Sequence, residues 1–161
     1  MHTSSRLASL WVAWLSIVSV GIMLFGLVLV VAPTVAQQGF SLLIYAEPEH
    51  ISDFEAEAVA YIGLAHAVLG GIMFGWGLAL LLIVRRLFAC GSKLGWQLIS
   101  FSVIAWFVPD TIYSLWSGFW QNAVLNLVFL VLFAVPLLAT YRVCKGFKWL
   151  TELCNRVEQA A

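Results

Sequence analysis

Charged and uncharged positions fall in long blocks along this chain. Lys, Arg, Asp and Glu are absent between Arg6 and Glu47, from Ala58 to Val84, from Leu94 to Pro109 and from Thr111 to Tyr141. A membrane-spanning helix needs about 20 mostly apolar residues. The blocks therefore predict four spans, at residues 8–31, 58–84, 94–117 and 119–141. The Trp-Ser-Gly-Phe-Trp run at 116–120 predicts a tight connection between the last two spans, with interfacial tryptophans. The expected fold is all-α: one integral membrane four-helix bundle occupying residues 1–161.

The connections carry the charge. Arg6, Arg85, Arg86, Lys93, Arg142, Lys145, Lys148 and Arg156 lie before span one, in the 85–93 loop or after span four. The 32–57 loop holds Glu47, Glu49, Asp53, Glu55 and Glu57 and no Lys or Arg. The positive-inside rule then gives N-terminus in, C-terminus in and the 32–57 loop outside. A cleaved signal peptide is the competing reading of the N-terminus. About 24 apolar residues from Ala8 to Val31 exceed a signal's 7–15-residue apolar region, which favours a retained helix.

Composition agrees: 63% of the 161 residues are apolar and 10% charged, against about 25% charged in soluble domains. The formal net charge is zero, which gives no electrostatic case for nucleic acid. Cys90, Cys144 and Cys154 fall on the predicted inner side, where three free thiols are expected. No metal-ligand spacing or nucleotide-binding motif occurs, so neither a metal nor a cofactor is expected.

Two connecting segments have patterns of their own. Residues 34–57, bracketed by Pro33 and Pro48, contain Phe40-Ser-Leu-Leu-Ile-Tyr45, too short and mixed to span. They predict a short interfacial helix or re-entrant piece on the outer leaflet, able to cap an outward pocket. Residues 142–158 carry an apolar stripe of Val143, Phe147, Leu150, Cys154 and Val157, which predicts an amphipathic helix on the inner membrane surface.

Span two carries a small residue every fourth position: Gly63, Ala67, Gly71, Gly75 and Ala79. Such a ridge lets another helix backbone approach closely. Packing within the bundle is the first expectation, and a homodimer through the same ridge the second. Gly70 and Gly77 lie off it.

Asp110 is the only acidic residue inside a predicted span. An intramembrane carboxylate costs roughly 2.5–3.5 kcal/mol at mid-helix and marks a functional site by default. Trp106, Tyr113, Ser114 and Ser117 share its helix face by spacing. Span four returns with Asn122 and Asn126, four residues apart. His66 on span two and Asn126 lie at a depth like that of Asp110, within about 10–14 Å of the outer surface. One reading is a hydrogen-bonded cluster that fixes helix register. The other is an outer-leaflet pocket with Asp110 and His66 as an acid/base pair, Asn122, Asn126 and Ser114 as polar lining, and Trp106 and Tyr113 at the rim.

Glu55-Ala-Glu-Ala-Val-Ala-Tyr61, His66-Ala-Val-Leu-Gly-Gly-Ile-Met-Phe-Gly-Trp76-Gly, Trp106-Phe-Val-Pro-Asp110-Thr-Ile-Tyr-Ser114-Leu-Trp-Ser-Gly118 and Asn122-Ala-Val-Leu-Asn126 together resemble a family of small bacterial four-helix membrane proteins of unknown function. The resemblance covers most of residues 5–142 and implies a bacterial inner-membrane, multi-pass location without an established activity. The architecture is also similar to DoxX-like proteins and to the sterol-isomerase and sigma-2-receptor-like four-helix fold, whose members use intramembrane carboxylates around a hydrophobic ligand. This chain has no second acidic residue within a span.

The first functional expectation is non-enzymatic: the pocket binds a small apolar or lipid-like molecule, or the bundle packs against a membrane-protein partner. The alternative is a small membrane enzyme in which Asp110 and His66 perform acid/base chemistry on a lipid or isoprenoid. Proton or solute transport is weaker, for want of inverted repeats and of a polar path to the inner half.

Overall fold

The computed structural model describes residues 2–146, with side chains described from 9 to 141. Five α-helices follow one another: α1 (His2–Val31), α2 (Pro33–Tyr45), α3 (Ala56–Ile83), α4 (Lys93–Trp116) and α5 (Trp120–Gly146). No strand occurs among the described residues. Four helical stretches are long and apolar enough to cross a membrane: Ser9–Val31, Ala56–Phe88, Lys93–Trp116 and Trp120–Tyr141. They coincide with the expected spans to within a few residues. The apolar stripe of the expected tail helix, residues 142–158, lies outside the described side chains.

Local chemistry accounts for the breaks. Pro33 begins α2 at a position where its missing N–H costs nothing. Ala46 ends α2 in the left-handed region at φ 59°, and Ser41 Oγ donates to Glu47 O at 2.7 Å across this turn. A 3-10 turn, Pro48–Asp53, then leads to α3. The expected short element of the 32–57 loop is thus a 13-residue helix plus a turn. Beyond α3, a π turn at Val84–Phe88 widens the last coil, with Ala89 N–H donating to Val84 O at 2.9 Å. Gly91, at φ 69°, then reverses the chain. Cys90 in this loop is disulfide-bonded, which corrects the expectation of a free thiol there. The side chains of Cys144 and Cys154 lie outside the described residues.

The most extensive pairings are α1 with α3 and α4 with α5. At the first, a Cβ added to Gly26 would lie 2.6 Å from Gly70 O, and one added to Gly77 would lie 2.9 Å from Ser19 O. Contacts run down α1 as they run up α3, so the two helices are antiparallel. The small residues that bring them together are therefore Gly26, Gly70 and Gly77. The four-residue ridge faces elsewhere: Gly71, Gly75 and Ala79 are exposed, and a Cβ at Gly71 or Gly75 would meet nothing within 4 Å. A Cβ added to Gly63 would lie 3.2 Å from Gln37 Nε2, and Ala67 is half-buried. The ridge is corrected as the bundle's packing face. Its regular spacing identified a face of α3, but Leu80 and the glycines seven apart mark the inward one.

A core of Leu15, Ile22, Leu80, Val84, Phe88, Ile99, Val103, Phe133 and Leu137 fills the end of the bundle nearest the 84–92 loop. Buried hydroxyls at this end are satisfied within their own helices. Ser19 Oγ donates to Leu15 O and Thr140 Oγ1 to Pro136 O, each at 2.7 Å, as an environment without water requires.

Candidate functional site

At the opposite end the helices do not close. A cavity of about 660 Å³ lies among α1 to α5. Its walls are Phe25 of α1, Phe40 and Ile44 of α2, Leu69, Ile72, Met73 and Trp76 of α3, and Phe129 of α5. Its polar surface is concentrated on α4 and α5, where Trp106, Asp110, Tyr113, Ser114, Asn122 and Asn126 all face it.

Helix spacing and a tight turn build that polar surface. Asp110 and Ser114 are four residues apart on α4, and Gly118, at φ 83°, lets α5 fold straight back. Asn122 then reaches α4, and its Nδ2 donates to Asp110 Oδ1 at 3.0 Å and to Ser114 Oγ at 2.8 Å. Ser114 Oγ donates to Asp110 O at 2.7 Å and lies 3.2 Å from Oδ1. One turn further, Asn126 Nδ2 donates to Thr111 Oγ1 at 3.3 Å. The cluster therefore ties α4 to α5, as the register reading requires, and it also borders a void, as the pocket reading requires.

Asp110 uses one oxygen in this network. Among the described residues, Oδ2 accepts no hydrogen bond and is not sealed from the cavity. The same holds for Oδ1 of Asn122 and Oδ1 of Asn126. No Lys or Arg lines the cavity.

His66 does not line it. Its ring stacks on Phe40 with centroids 4.9 Å apart and planes 20° apart. Its Nδ1 is buried and has no hydrogen-bond partner among the described residues. The expected pairing of His66 with Asp110 is not made. Depth along a span does not fix direction around it, and His66 points behind Phe40 rather than past it. His66 thus positions a wall of the cavity.

Two side-chain amides pin α2 over this end. Gln37 Nε2 donates to Val59 O and Gln121 Nε2 to Ile44 O, each at 3.0 Å. The aromatic walls Phe25, Phe40, Trp76 and Phe129 have no distinguishing mark in the sequence, because an apolar residue on a span faces lipid or cavity with the same chemistry. Only Phe40 and Ile44, four apart on a short helix, hinted at a shared face.

A second, wholly apolar trough of about 520 Å³ runs between α1 and α5. Phe25 and Phe129 border both spaces. Comparison with known protein families, curated proteins and solved structures finds no match to this chain.

Proposed function

We propose that this protein is a multi-pass membrane protein that binds a small apolar or lipid-like molecule in the cavity beside Asp110, without chemistry on it. One observation carries the reading: a space within the 300–1,000 Å³ range of ligand sites, apolar on most sides, with a few convergent polar groups at one place. A cluster serving register alone needs no void beside it. The acid/base alternative loses its support, because His66 stands outside the cavity.

The orientation proposed is N-terminus and C-terminus inside, which places the cavity in the outer leaflet and α2 at the outer interface. It rests on the eight basic residues. A single cysteine at Ser52, in an otherwise cysteine-free chain, discriminates. An impermeant maleimide labels it in intact cells if the 32–57 loop is outside. Labelling only after permeabilisation reverses the assignment. A bacterial inner-membrane location follows from the family resemblance and is proposed on that basis.

Native mass spectrometry of the purified protein tests the binding reading. The expected spectrum carries one small amphipathic adduct per chain. A spectrum of bare protein under conditions that retain bound lipid on control proteins contradicts it and favours packing against a membrane partner.

A further inference from the structure

The polar surface and the neighbouring trough together specify a ligand class more narrowly. This step rests on the binding reading above. Around Asp110, the donors of Asn122, Ser114 and Ser117 are spent inside the protein. What remains open is Oδ2 of Asp110 and the amide oxygens of Asn122 and Asn126, beside the Tyr113 hydroxyl and the second Asn126 Nδ2 hydrogen, both neutral. The Trp106 indole N–H, a further neutral donor, lies at the same place and donates to no group among the described residues. With no basic residue in the lining, a carboxylate or phosphate head would face Asp110 with no opposing charge. A head that donates hydrogen bonds, an ammonium or a hydroxyl, finds acceptors already positioned.

The rest of the molecule has somewhere to go. Phe25 and Phe129 form the partition between the cavity and the apolar trough. Phe129 also borders a small void of about 20 Å³. The trough runs along α1 from Phe25 to Ile17, about 12 Å at 1.5 Å per residue. Trp14 closes its far end, with Nε1 donating to Leu132 O at 3.0 Å. Midway lies Gly21, where an added Cβ would meet nothing within 4 Å. Ile17 and Phe25 of the trough's wall are exposed at the surface of the bundle, so in a bilayer a chain enters it sideways from lipid.

We infer that the occupant is a single-chain amphiphile with a hydrogen-bond-donating, non-acidic head at Asp110 and a hydrocarbon tail passing between Phe25 and Phe129 into the α1–α5 trough. The head is read by the open oxygens, and the tail length is read by Gly21 and Trp14.

Photolabelling of the full-length protein in phosphatidylcholine nanodiscs tests this. The probes are dodecyl chains bearing an amine, a hydroxyl or a carboxylate head, each made with a diazirine at the tail end or beside the head. Tail-end amine and hydroxyl probes are expected to mark the 14–25 and 129–132 segments. The carboxylate probe should mark them at least roughly tenfold less, the difference a charge-assisted hydrogen bond makes. Asp110→Asn should lower amine labelling more than hydroxyl labelling. Gly21→Leu, which fills open space and leaves the helix interfaces intact, should remove the tail-end adducts while head-end adducts near 106–126 persist. Equal labelling by the carboxylate probe overturns the head assignment. Tail-end adducts unchanged in Gly21→Leu, or spread evenly over exposed apolar residues, overturn the trough. Head-end labelling of the cavity without trough labelling sinks this inference and leaves the binding reading standing. Absence of labelling at both sinks both.

Discussion

The two ends of the bundle are built from similar residues and come out differently. At the end near the 84–92 loop, Leu15, Leu80, Val84, Ile99 and Phe133 are at most 1% exposed and interlock without room for a ligand. At the α2 end, Trp76, Trp106 and Phe129 meet tilted or edge-on, with centroids 5.6 and 6.3 Å apart, and hold α3 away from the α4–α5 pair. The difference lies in shape. Branched aliphatics and glycines let helices close, whereas large rings that cannot interdigitate leave space. The polar residues then occur at the open end, where Asp110 serves a network and still offers an oxygen.

The largest expected effect concerns the closed seam between α1 and α3. Gly70→Leu places a Cβ about 2.5 Å from Gly26 O, a backbone atom that cannot move aside. Its cost should be about 3 kcal/mol or more, seen as a large drop in thermal unfolding temperature in detergent. Gly71→Leu, one position along, meets nothing and should change stability by no more than about 0.5 kcal/mol. A large loss at Gly71 would instead show that the exposed ridge of α3 is covered by a second copy or a partner.

At the open end, Asp110→Ala removes the acceptor for Asn122 and Ser114. It should cost about 1–3 kcal/mol in the same unfolding assay. Asp110→Asn keeps an oxygen toward Asn122 and should unfold nearly as the parent does. If Asp110→Ala is neutral, the α4–α5 network contributes nothing to register, and the distinction between the two ends loses its polar half.

Four spans were legible in the sequence because charge is expensive in a bilayer and so marks where helices stop. Asp110, Ser114 and Asn122 were legible because four-residue spacing and a tight turn leave them few other neighbours. The cavity walls were not, since Phe25, Trp76 and Phe129 follow the same chemistry whether they face lipid, protein or void. The glycines misled for a related reason. A period of four picks out one side of α3, and only the partner helix decides which side is inside. His66 failed in azimuth, with depth alone available to place it.

Smaller effects should follow at the wall. Gln121→Leu removes the bond to Ile44 O at a cost of about 1 kcal/mol. Faster hydrogen exchange should appear in 33–45 and leave the α1–α3 seam unchanged. Exchange that rises evenly across the bundle would mean that α2 is not a separately held cover. His66→Phe preserves the ring against Phe40 and should be the mildest change, within about 0.5 kcal/mol. A loss comparable to Asp110→Ala would restore His66 to the site.

The central claim is that the cavity beside Asp110 holds a ligand and that His66 only shapes its wall. Native mass spectrometry of the wild-type protein, Asp110→Asn and His66→Phe, purified side by side, tests it most directly. The expected result is one amphipathic adduct per chain on wild type and on His66→Phe, reduced roughly tenfold or more on Asp110→Asn. Equal occupancy of all three, or loss confined to His66→Phe, would contradict the account.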